Sequence, residues 1–234
     1  MKIALLGYGK MGKVIERIAL ERGHEIVLRK SSTDSYDGLS DADVAIDFSV
    51  PDSAVDNISA CFKANVPVIC GTTGWLEHYD EMTALCQATN GSFIYGSNFS
   101  LGVNIFFELN DYLAKMMSRL KQYNVSMEEI HHTQKLDAPS GTAISLAKGI
   151  IENSGYNNWT MEKPKSGEIY IDAKRIENIP GTHSIFYDSE VDQIEIKHTA
   201  HNREGFALGA VIAAEWLQDK KGVFTMKDVL NLNK

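Results

Sequence analysis

The feature that most constrains the fold of this chain is a glycine-rich turn directly after its first apolar run. Residues 7–12 match the pattern Gly-x-Gly-x-x-Gly, and they lie between a predicted strand at residues 3–6 and a predicted helix at residues 10–22. In that setting the first glycine permits a tight turn, the second lets the backbone approach a pyrophosphate, and the third lets the helix pack on the strand. A tight turn that holds no ligand is the alternative. The residues of the expected dinucleotide site are Gly7, Tyr8, Gly9, Lys10, Met11 and Gly12.

Short apolar runs and helical patterns alternate along the N-terminal part of the chain. Strands are predicted at residues 3–6, 25–28, 44–48, 66–70 and 93–95, and helices at residues 10–22, 51–64 and 76–89. Strand–helix alternation with short turns favours a parallel sheet that is covered on both faces. The sequence therefore predicts an α/β fold with a Rossmann-type parallel sheet.

The pattern changes after residue 98, where apolar residues at helical spacing predict one long amphipathic helix. The apolar residues of this helix are Leu101, Ile105, Leu109, Tyr112, Leu113, Met116 and Leu120. The remaining predictions are a strand at 125–130, a helix at 140–152, an irregular polar loop at 153–167, strands at 169–174, 184–187 and 193–198, and helices at 206–217 and from Thr225. Three strands without helices between them indicate a second unit with a mixed or antiparallel sheet.

Charge and composition exclude several classes of function. The chain has 234 residues and a formal net charge of −8, so phosphate backbones repel it and nucleic acid is not an expected partner. No apolar run in the sequence approaches the roughly 20 residues of a membrane span, and no membrane association is expected. Cys61, Cys70 and Cys86 are odd in number and lack Cys-x-x-Cys spacing. This favours reduced, buried thiols in a cytoplasmic protein, with a catalytic Cys70 as the alternative.

The end of the second predicted strand bears on the choice of cofactor. An NAD site usually has an acidic residue there, bonded to the ribose hydroxyls. This chain has Arg29 and Lys30 instead, followed by Ser31 and Ser32. Cations and hydroxyls suit a 2′-phosphate, so we expect NADPH to be used at least as well as NADH. Two solvated surface cations are the alternative.

Two further segments follow the fourth and fifth predicted strands. Open α/β sheets bind ligands at the carboxyl ends of their strands, and small or hydroxyl residues there let a nicotinamide ring come close. Ordinary turn chemistry explains the same residues without a ligand. The residues concerned are Gly71, Thr72, Thr73, Gly96, Ser97, Asn98 and Phe99.

The segment that carries the most chemistry reads Glu-Ile-His-His-Thr-Gln-Lys-Leu-Asp-Ala-Pro-Ser-Gly-Thr and ends at Thr142. His131, His132 and Lys135 bring imidazoles and an ammonium together, and these groups donate protons and pair with carboxylates. Gly141 and Thr142 then open a predicted helix, whose free N–H groups suit an anion. The segment predicts a pocket for a small dianion that is protonated during a reaction.

Two other interpretations of this segment compete with the pocket. A metal site lacks support, because adjacent histidines are a poor spacing for one ion and no cysteine or carboxylate pattern completes it. We therefore expect no metal. A pair of surface histidines is the simplest interpretation, but it does not explain why an ammonium and a helix start follow at once.

Taken together, these segments resemble the dihydrodipicolinate reductase family of bacterial lysine and diaminopimelate biosynthesis, whose members are also called 4-hydroxy-tetrahydrodipicolinate reductases. The resemblance covers nearly the whole chain. Its most specific parts are residues 129–142 and 97–104, and its supporting parts are residues 9–12, 47–51, 71–74 and 198–203.

The resemblance implies an architecture and a set of roles. A Rossmann domain at residues 1–99 and 203–234 would be joined to a smaller mixed α/β domain at residues 100–202, which binds substrate and builds a homotetramer. The implied roles are proton donor or acceptor for His131, second catalytic donor for Lys135, substrate binding for His132, carboxylate binding for Gly141 and Thr142, and nucleotide binding for residues 7–12, 71–73 and 96–99. No role follows for Arg175, His183, His198 or Arg203.

Two departures from the family pattern bear on the cofactor. The glycine loop is one residue shorter than the usual form, and the segment between the second and third strands is short. Arg29 and Lys30 replace the acidic residue of members that use NADH.

The expected activity is the NADPH- or NADH-dependent reduction of dihydrodipicolinate, formed from 4-hydroxy-tetrahydrodipicolinate, to tetrahydrodipicolinate. The alternatives are another Rossmann-type dehydrogenase of a small amino or keto acid, and a non-catalytic regulator that senses a nucleotide.

Overall fold

The computed structural model describes residues 1–31, 34–202 and 204–232. The chain forms two compact units: Met1–Leu101 with Glu204–Lys234 is the first, and Gly102–Arg203 is the second. The C-terminal segment therefore belongs to the unit that carries the glycine-rich turn. Among the described residues, none of the helices combines the length and the apolar character that crossing a membrane requires.

The helices and strands follow the predicted order. The first part contains β1 (Lys2–Leu6), α1 (Lys10–Glu21), β2 (Glu25–Lys30), β3 (Val44–Asp47), α2 (Pro51–Lys63), β4 (Val68–Cys70), α3 (Tyr79–Ala88) and β5 (Ser92–Tyr95). The middle part contains α4 (Leu101–Met117), β6 (Asn124–His131), α5 (Gly141–Asn153), β7 (Asn158–Thr160), β8 (Glu168–Arg175), β9 (Gly181–Asp188) and β10 (Gln193–Ala200). The last part contains α6 (Glu204–Leu217), β11 (Gly222–Phe224) and α7 (Met226–Val229).

The first unit is built on a parallel sheet with the strand order β11-β5-β4-β3-β1-β2. Strand alternation directs Ile3 and Leu5 to a core shared with α1 and α6, whereas Ala4 and Leu6 face the core beneath α2 and α3. Burial on both faces explains why these strands read as continuous apolar runs. The predicted fold class is confirmed. The chain leaves β1 for β2 on one side and returns to β3 on the other, which makes the carboxyl ends of these strands the switch point where such sheets bind ligands.

The second unit has a mixed sheet in the order β10-β9-β6-β8-β7, in which β6 pairs antiparallel with β9 and parallel with β8. Helices α4 and α5 cover this sheet through a core that includes Phe106, Leu146 and Met127. Alternate residues of β6 are buried. Val125 and Met127 supply apolar side chains on the buried face, and Glu129 and His131 continue the same face toward the end of the strand. The polar cluster at the end of β6 is therefore continuous with the apolar core of the second unit.

Helix α4 differs from its prediction in which face is buried. The predicted apolar stripe lies largely exposed, with Leu109 at 52% and Tyr112 at 64%. The buried face instead carries Phe106, Asn110 and Ala114, together with other side chains. Asn110 fits there because its amide donates to the carbonyl of Leu146 at 3.1 Å. Helical periodicity located the helix correctly, but two apolar faces compete in it and hydropathy alone favoured the wrong one.

Short elements account for the other differences. Strand β7 lies within residues 153–167, for which an irregular loop was predicted, and β11 was not predicted at all. Each has three residues, too few to show a period of two, and each exists because its backbone pairs with β8 or β5. Thr225 and Asp228 form a capping box at the start of α7. Cys61, Cys70 and Cys86 are free and buried, as predicted.

Candidate active site

The glycine-rich turn has the geometry that its pattern predicts. Gly7 adopts a φ of +99°, and a Cβ there would lie 2.2 Å from the carbonyl oxygen of Phe48. A Cβ on Gly12 would lie 2.4 Å from the carbonyl oxygen of Gly7, within the packing of helix on strand. A Cβ on Gly9 would meet nothing within 4 Å. Two glycines are therefore required by the fold, whereas Gly9 leaves open space beside the backbone.

This open space belongs to a cleft of about 300 Å³. Helix α1 begins there at Lys10, and its N-cap residue Gly9 provides no side-chain hydrogen bond. A helix start without a side-chain cap leaves N–H groups for an anion, so the arrangement fits the pyrophosphate of a dinucleotide. The residues that line the cleft are Gly7, Tyr8, Gly9, Lys30, Ser31, Phe48, Ser49, Val50, Ser53 and Asn57.

Arg29 and Lys30 have different surroundings. Arg29 Nε donates to Glu16 Oε1 at 2.7 Å, and the hydroxyl of Tyr8 donates to the other oxygen of that carboxylate. These hydrogen bonds, first from Tyr8 and then from Arg29, hold the pKa of Glu16 below its usual value. Arg29 is thus already paired, and Lys30 is the cation that lines the cleft. Ser32, the second hydroxyl in the predicted phosphate site, lies outside the described residues.

Lys30 is only 6% exposed. Its carbonyl accepts hydrogen bonds from Gly7 and Tyr8 at 2.9 and 3.1 Å, which ties β2 to the glycine-rich turn. Its ammonium donates to the carbonyl of Ser31 at 3.2 Å and lies 4.7 Å from the ring centre of Tyr36. The cation is therefore held in place before any ligand arrives.

Part of the predicted nicotinamide environment is core rather than surface. Thr72 is buried, and its hydroxyl donates to Asp47 Oδ2 at 2.6 Å. Phe99 is buried and packs against the ring of Phe48 with 5.8 Å between ring centres. The side chains of Thr72 and Phe99 hold strand ends in place, whereas Thr73 and Ser97 are exposed at the surface.

Sequence reasoning missed the contribution of the segment after β3. Ser49, Ser53 and Asn57 line the cleft, and Asn57 Nδ2 donates to Asp47 Oδ1 at 2.7 Å. Burial raises the pKa of the Asp47 carboxyl, although its hydrogen bonds oppose that effect. The signal was available, because Asp47 and Ser49 come at the carboxyl end of a strand next to β1.

The second unit carries a polar cluster of its own, centred on Glu129 and His131. Both side chains lie on the buried face of β6, and Glu129 Oε2 is hydrogen-bonded to His131 Nδ1. Glu129 is only 1% exposed. Burial raises the pKa of its carboxyl, but hydrogen bonds from His131 and Arg175 outweigh burial, and the net pKa is below the usual value. The carboxylate is therefore ionised beside the imidazole at neutral pH.

Lys135 lies in the turn that follows β6. Its ammonium pairs with both carboxylate oxygens of Asp137, at 2.9 and 2.8 Å. The hydrogen bond from Lys135 is the main reason that the pKa of Asp137 is lowered. His132 lies elsewhere: it lines a cavity of about 370 Å³ with Thr133, Gln134 and neighbouring residues, and His131 does not line that cavity. Strand β6 ends at His131, so His132 is the first residue of the segment that follows it.

Helix α5 begins with Ser140 as its N-cap. Ser140 accepts a hydrogen bond from the N–H of Ala143 at 3.2 Å, and its own N–H donates to Glu129 Oε1 at the same distance. A Cβ on Gly141 would meet nothing within 4 Å. Gly141 therefore leaves space at the helix start, where Thr142 is partly exposed. This is the arrangement expected for an anion site.

His183, for which sequence gave no role, joins the cluster from β9. Its Nε2 is 3.1 Å from Ser140 Oγ, and its ring centre lies 5.1 Å from that of His131. Burial, followed by the charge of His131, lowers the pKa of His183 to about 3. The ring is thus neutral at physiological pH. His198 lies opposite His183 on β10, with its ring centre 6.0 Å from that of Phe106. Arg203 is outside the described residues.

The donor atoms of Glu129, His131 and His183 lie within 4.8 Å of one another. Such a group could hold a metal ion, but Arg175 Nη2 already donates to Glu129 Oε1 at 2.9 Å. A guanidinium on the only carboxylate of the group opposes a second cation. The donor set fits a hydrogen-bonded proton-transfer site better than a metal centre.

Comparison with known proteins extends over the whole chain. The model of the dihydrodipicolinate reductase N-terminus matches residues 1–99, and the model of the dihydrodipicolinate reductase C-terminus matches residues 102–230. The chain is 56% identical to 4-hydroxy-tetrahydrodipicolinate reductase of Christiangramia forsetii over 99% of this chain and 98% of that protein. It is 36% identical to the enzyme of the same name from Methanosarcina barkeri, over 96% of this chain and 83% of that protein.

Solved structures support the same fold. A dipicolinate-bound dihydrodipicolinate reductase from Paenisporosarcina sp. TG-14 matches with a TM-score of 0.79 and 22% identity, over 96% of this chain and 97% of that one. An engineered D-amino acid dehydrogenase bound to NADP+ matches with a TM-score of 0.52 and 14% identity, over 96% of this chain and 92% of that one. At 22% and 14% identity, these two matches establish the fold and nothing further. Because the two family models together match most of its length, this chain belongs to the dihydrodipicolinate reductase family.

Proposed function

We propose that this chain uses a pyridine nucleotide to reduce dihydrodipicolinate, formed from 4-hydroxy-tetrahydrodipicolinate, to tetrahydrodipicolinate in lysine and diaminopimelate biosynthesis. Membership of the family and the 56% identity with a named reductase support this activity. The observation that carries it is the cluster at the start of α5, where Glu129 holds His131 and Ser140 joins that pair to the open N-terminus at Gly141.

The cofactor would be held by the glycine-rich turn. The N–H groups at the start of α1 suit the pyrophosphate, and the open side of Gly9 gives it room. When bound, the reduced nicotinamide supplies the hydride that adds to a ring carbon of the conjugated cyclic imine. The chain's choice between NADH and NADPH follows from Lys30, whose ammonium is held at the cleft. We propose that NADPH is used at least as well as NADH.

The substrate carboxylates would be held by groups of the second unit. N–H groups of Gly141 and Thr142 at the start of α5 suit one carboxylate. Lys135 supplies positive charge, and a substrate carboxylate would compete with Asp137 for its ammonium. We propose that His132, which lies outside the cluster around His131, contacts substrate only through the cavity that it lines.

Proton transfer would fall to His131. Addition of hydride leaves negative charge in the conjugated system of the substrate, and a proton must neutralise it. Since Glu129 occupies Nδ1, the proton would leave from Nε2. Lys135 stabilises the developing anion by its fixed charge. If the bound substrate still carries its hydroxyl group, the same two residues could assist the loss of water.

A coupled assay tests the proposal. The condensation product of pyruvate and aspartate semialdehyde is offered to the purified chain, and oxidation of NADPH or NADH is followed. We expect turnover by the native chain, and a loss in kcat of about 10²–10⁴-fold in His131→Ala or Lys135→Ala. Native turnover in both variants would remove the two catalytic roles, and no turnover by the native chain with either nucleotide would remove the function.

Assembly and location are further proposals that rest on the family resemblance. We propose a cytoplasmic homotetramer. Sedimentation of the purified chain would give four times the 26.0 kDa mass of one chain, and a monomer would contradict it.

A further inference from the structure

Arg175 forms an ion pair with Glu129 and has no part in the chemistry described so far. Glu129 and Arg175 lie on neighbouring strands β6 and β8, and Arg175 Nη2 donates to Glu129 Oε1 at 2.9 Å. Their side chains are 1% and 19% exposed. Desolvating charges is costly, and each partner depends on the other for compensation. We therefore expect the buried pair of Glu129 and Arg175, which lies beside the proposed proton donor His131, to have a function.

Glu129 uses its two oxygens for different purposes. Oε2 is hydrogen-bonded to His131 Nδ1. Oε1 accepts from Arg175 Nη2 at 2.9 Å and from the N–H of Ser140 at 3.2 Å. A carboxylate can only accept hydrogen bonds, so His131 must carry a proton on Nδ1. Nε2 is therefore the nitrogen that gains and loses a proton during turnover.

Arg175 also controls the position of Lys135. Its Nε donates to the carbonyl of Lys135 at 3.3 Å, and its Nη2 donates to the carbonyl of Asp137 at 2.6 Å. Arg175 Nη1 donates to the carbonyl of Lys174 at 2.7 Å, which fixes the guanidinium to its own strand. One planar side chain thus binds Glu129 and the turn that carries Lys135. A lysine in its place would keep the charge but could not reproduce this set of directed bonds.

Gly181 and His183 determine the space around His131 Nε2, the nitrogen that exchanges the proton. A Cβ at Gly181 would lie 3.0 Å from His131 Nε2, so the glycine keeps that nitrogen uncrowded. His183 packs on the other side and is neutral at physiological pH. Among the residues that the structure describes, Glu129 is hydrogen-bonded to the His131 imidazole, His183 packs against it, and Arg175 contacts Glu129. The charges of His198 and Lys135 act on His183.

We propose that Glu129 and Arg175 are positioning residues for the reduction: Glu129 fixes the tautomer and orientation of His131, and Arg175 holds both Glu129 and the Lys135 turn in register. The inference rests on the proposed function, because it assigns His131 and Lys135 to the reaction. Neither Glu129 nor Arg175 needs to touch the substrate.

Glu129→Gln gives a specific signature. An amide has one acceptor oxygen. Because Arg175 and Ser140 both donate to the oxygen on their side of the group, the NH₂ of the glutamine would face His131 Nδ1. Nδ1 must then accept, the neutral ring carries its proton on Nε2, and the imidazolium is opposed. We expect kcat to fall by about 10²-fold while the KM for the nucleotide stays unchanged. The basic limb of the pH–rate profile should move to lower pH, since the protonated ring has lost its carboxylate.

The matched control is Glu128→Gln. Glu128 precedes Glu129 on the opposite face of β6 and pairs with Lys174, next to Arg175. The Glu128→Gln substitution removes an equivalent charge from the same strand without touching His131. We expect this variant to have native kcat and a native pH profile. Loss of activity in Glu129→Gln with an unmoved pH profile would mean a merely structural role and would overturn the proposal. So would equal behaviour of the two glutamine variants.

Arg175 is tested by Arg175→Lys and Arg175→Ala. Arg175→Lys should fold, as judged by thermal unfolding, and lose kcat by about 10-fold or more. Methylguanidine should restore part of the activity of Arg175→Ala, and it should not restore His131→Ala. Native kcat in Arg175→Lys would contradict the assignment. If Arg175→Ala does not fold, the lysine variant still decides.

A measurement without substrate separates this inference from the proposed function. Nitrogen-15 NMR of the histidine-labelled chain, with His131→Gln to assign the signal, reports which ring nitrogen carries the proton. We expect protonated Nδ1 in the native chain and in Glu128→Gln, and unprotonated Nδ1 in Glu129→Gln. That result would stand even if the native chain failed to reduce dihydrodipicolinate, whereas unprotonated Nδ1 in the native chain would overturn the positioning role alone.

Discussion

The two proposed ligand-binding regions of this chain share one feature and differ in the rest. Each has the start of a helix open to an anion: Gly9 precedes α1, and Ser140 precedes α5. In the first region the helix start is a short stretch of backbone with no side-chain cap. The second adds side chains from β8 and β9, as Arg175 and His183 converge on the end of β6. Binding a nucleotide needs amides and space, whereas moving a proton needs an imidazole whose every neighbour is fixed.

The largest expected effect concerns the glycine-rich turn of the first region. Gly7→Ala would place a Cβ 2.2 Å from a backbone carbonyl at a φ of +99°. Strain of this kind costs about 1–3 kcal/mol before the clash is counted, so thermal unfolding should occur at a clearly lower temperature. Gly9→Ala, which meets nothing within 4 Å, is the matched control. It should keep the native unfolding temperature and weaken nucleotide binding in a fluorescence titration. Equal stability of the two variants would contradict the assigned geometry.

The second prediction applies the same contrast to the other region. Gly181→Ala would crowd His131 Nε2, while Gly141→Ala would meet no protein atom within 4 Å. We expect Gly181→Ala to lower kcat by roughly 10²-fold, the lower end of what a general acid contributes. Gly141→Ala should mainly raise the KM for the substrate, because the added methyl occupies the anion site. Steady-state kinetics distinguish the two patterns. A kcat effect at Gly141 with none at Gly181 would reverse the two roles.

This contrast also explains how far the sequence could be read. The glycine-rich turn is contiguous and has one geometry, so Gly7, Gly9 and Gly12 could be assigned separately. His131 and Lys135 could be proposed as catalytic residues because they share one segment with a helix start. Glu129, two positions before His131, was within reach of strand alternation but received no role. Arg175 and His183 arrive through strand pairing across long sequence separations, and no local pattern encodes that.

The fold shows the same limit in different places. Strands buried on both faces were predictable from apolar runs, whereas β11 exists only because β5 offers it a partner. In α4, sequence gave the helix but not the choice between its two apolar faces. That choice depends on which face of α4 packs against the sheet of the same unit. Asn110 can be buried on that face because its amide donates to the carbonyl of Leu146.

The third prediction concerns acid stability and a buried histidine of the second region. The pKa of His183 is lowered to about 3 by burial and then by His131, against roughly 6.5 in an unfolded chain. The neutral ring therefore contributes stability that is complete above about pH 6.5 and is lost as the pH falls toward 3, at up to about 1.4 kcal/mol per pH unit. Thermal unfolding of the native chain should decline over that window. His183→Gln should decline less steeply, and parallel curves would count against a buried neutral ring.

The smallest expected effect concerns the cofactor and contrasts two neighbouring cations within the first region. Arg29 is paired with Glu16, whereas Lys30 lines the cleft. Exposed ion pairs contribute about 0–1 kcal/mol, so Arg29→Ala should change the KM for NADPH by less than about 5-fold. Lys30→Met should raise the KM for NADPH more than that for NADH, because a methionine keeps the buried stem but cannot attract a 2′-phosphate. The ratio of the two Michaelis constants in each variant is the measurement. An unchanged ratio in both variants, together with a strong native preference for NADH, would show that neither cation recognises a phosphate and that the cleft selects its nucleotide by other contacts.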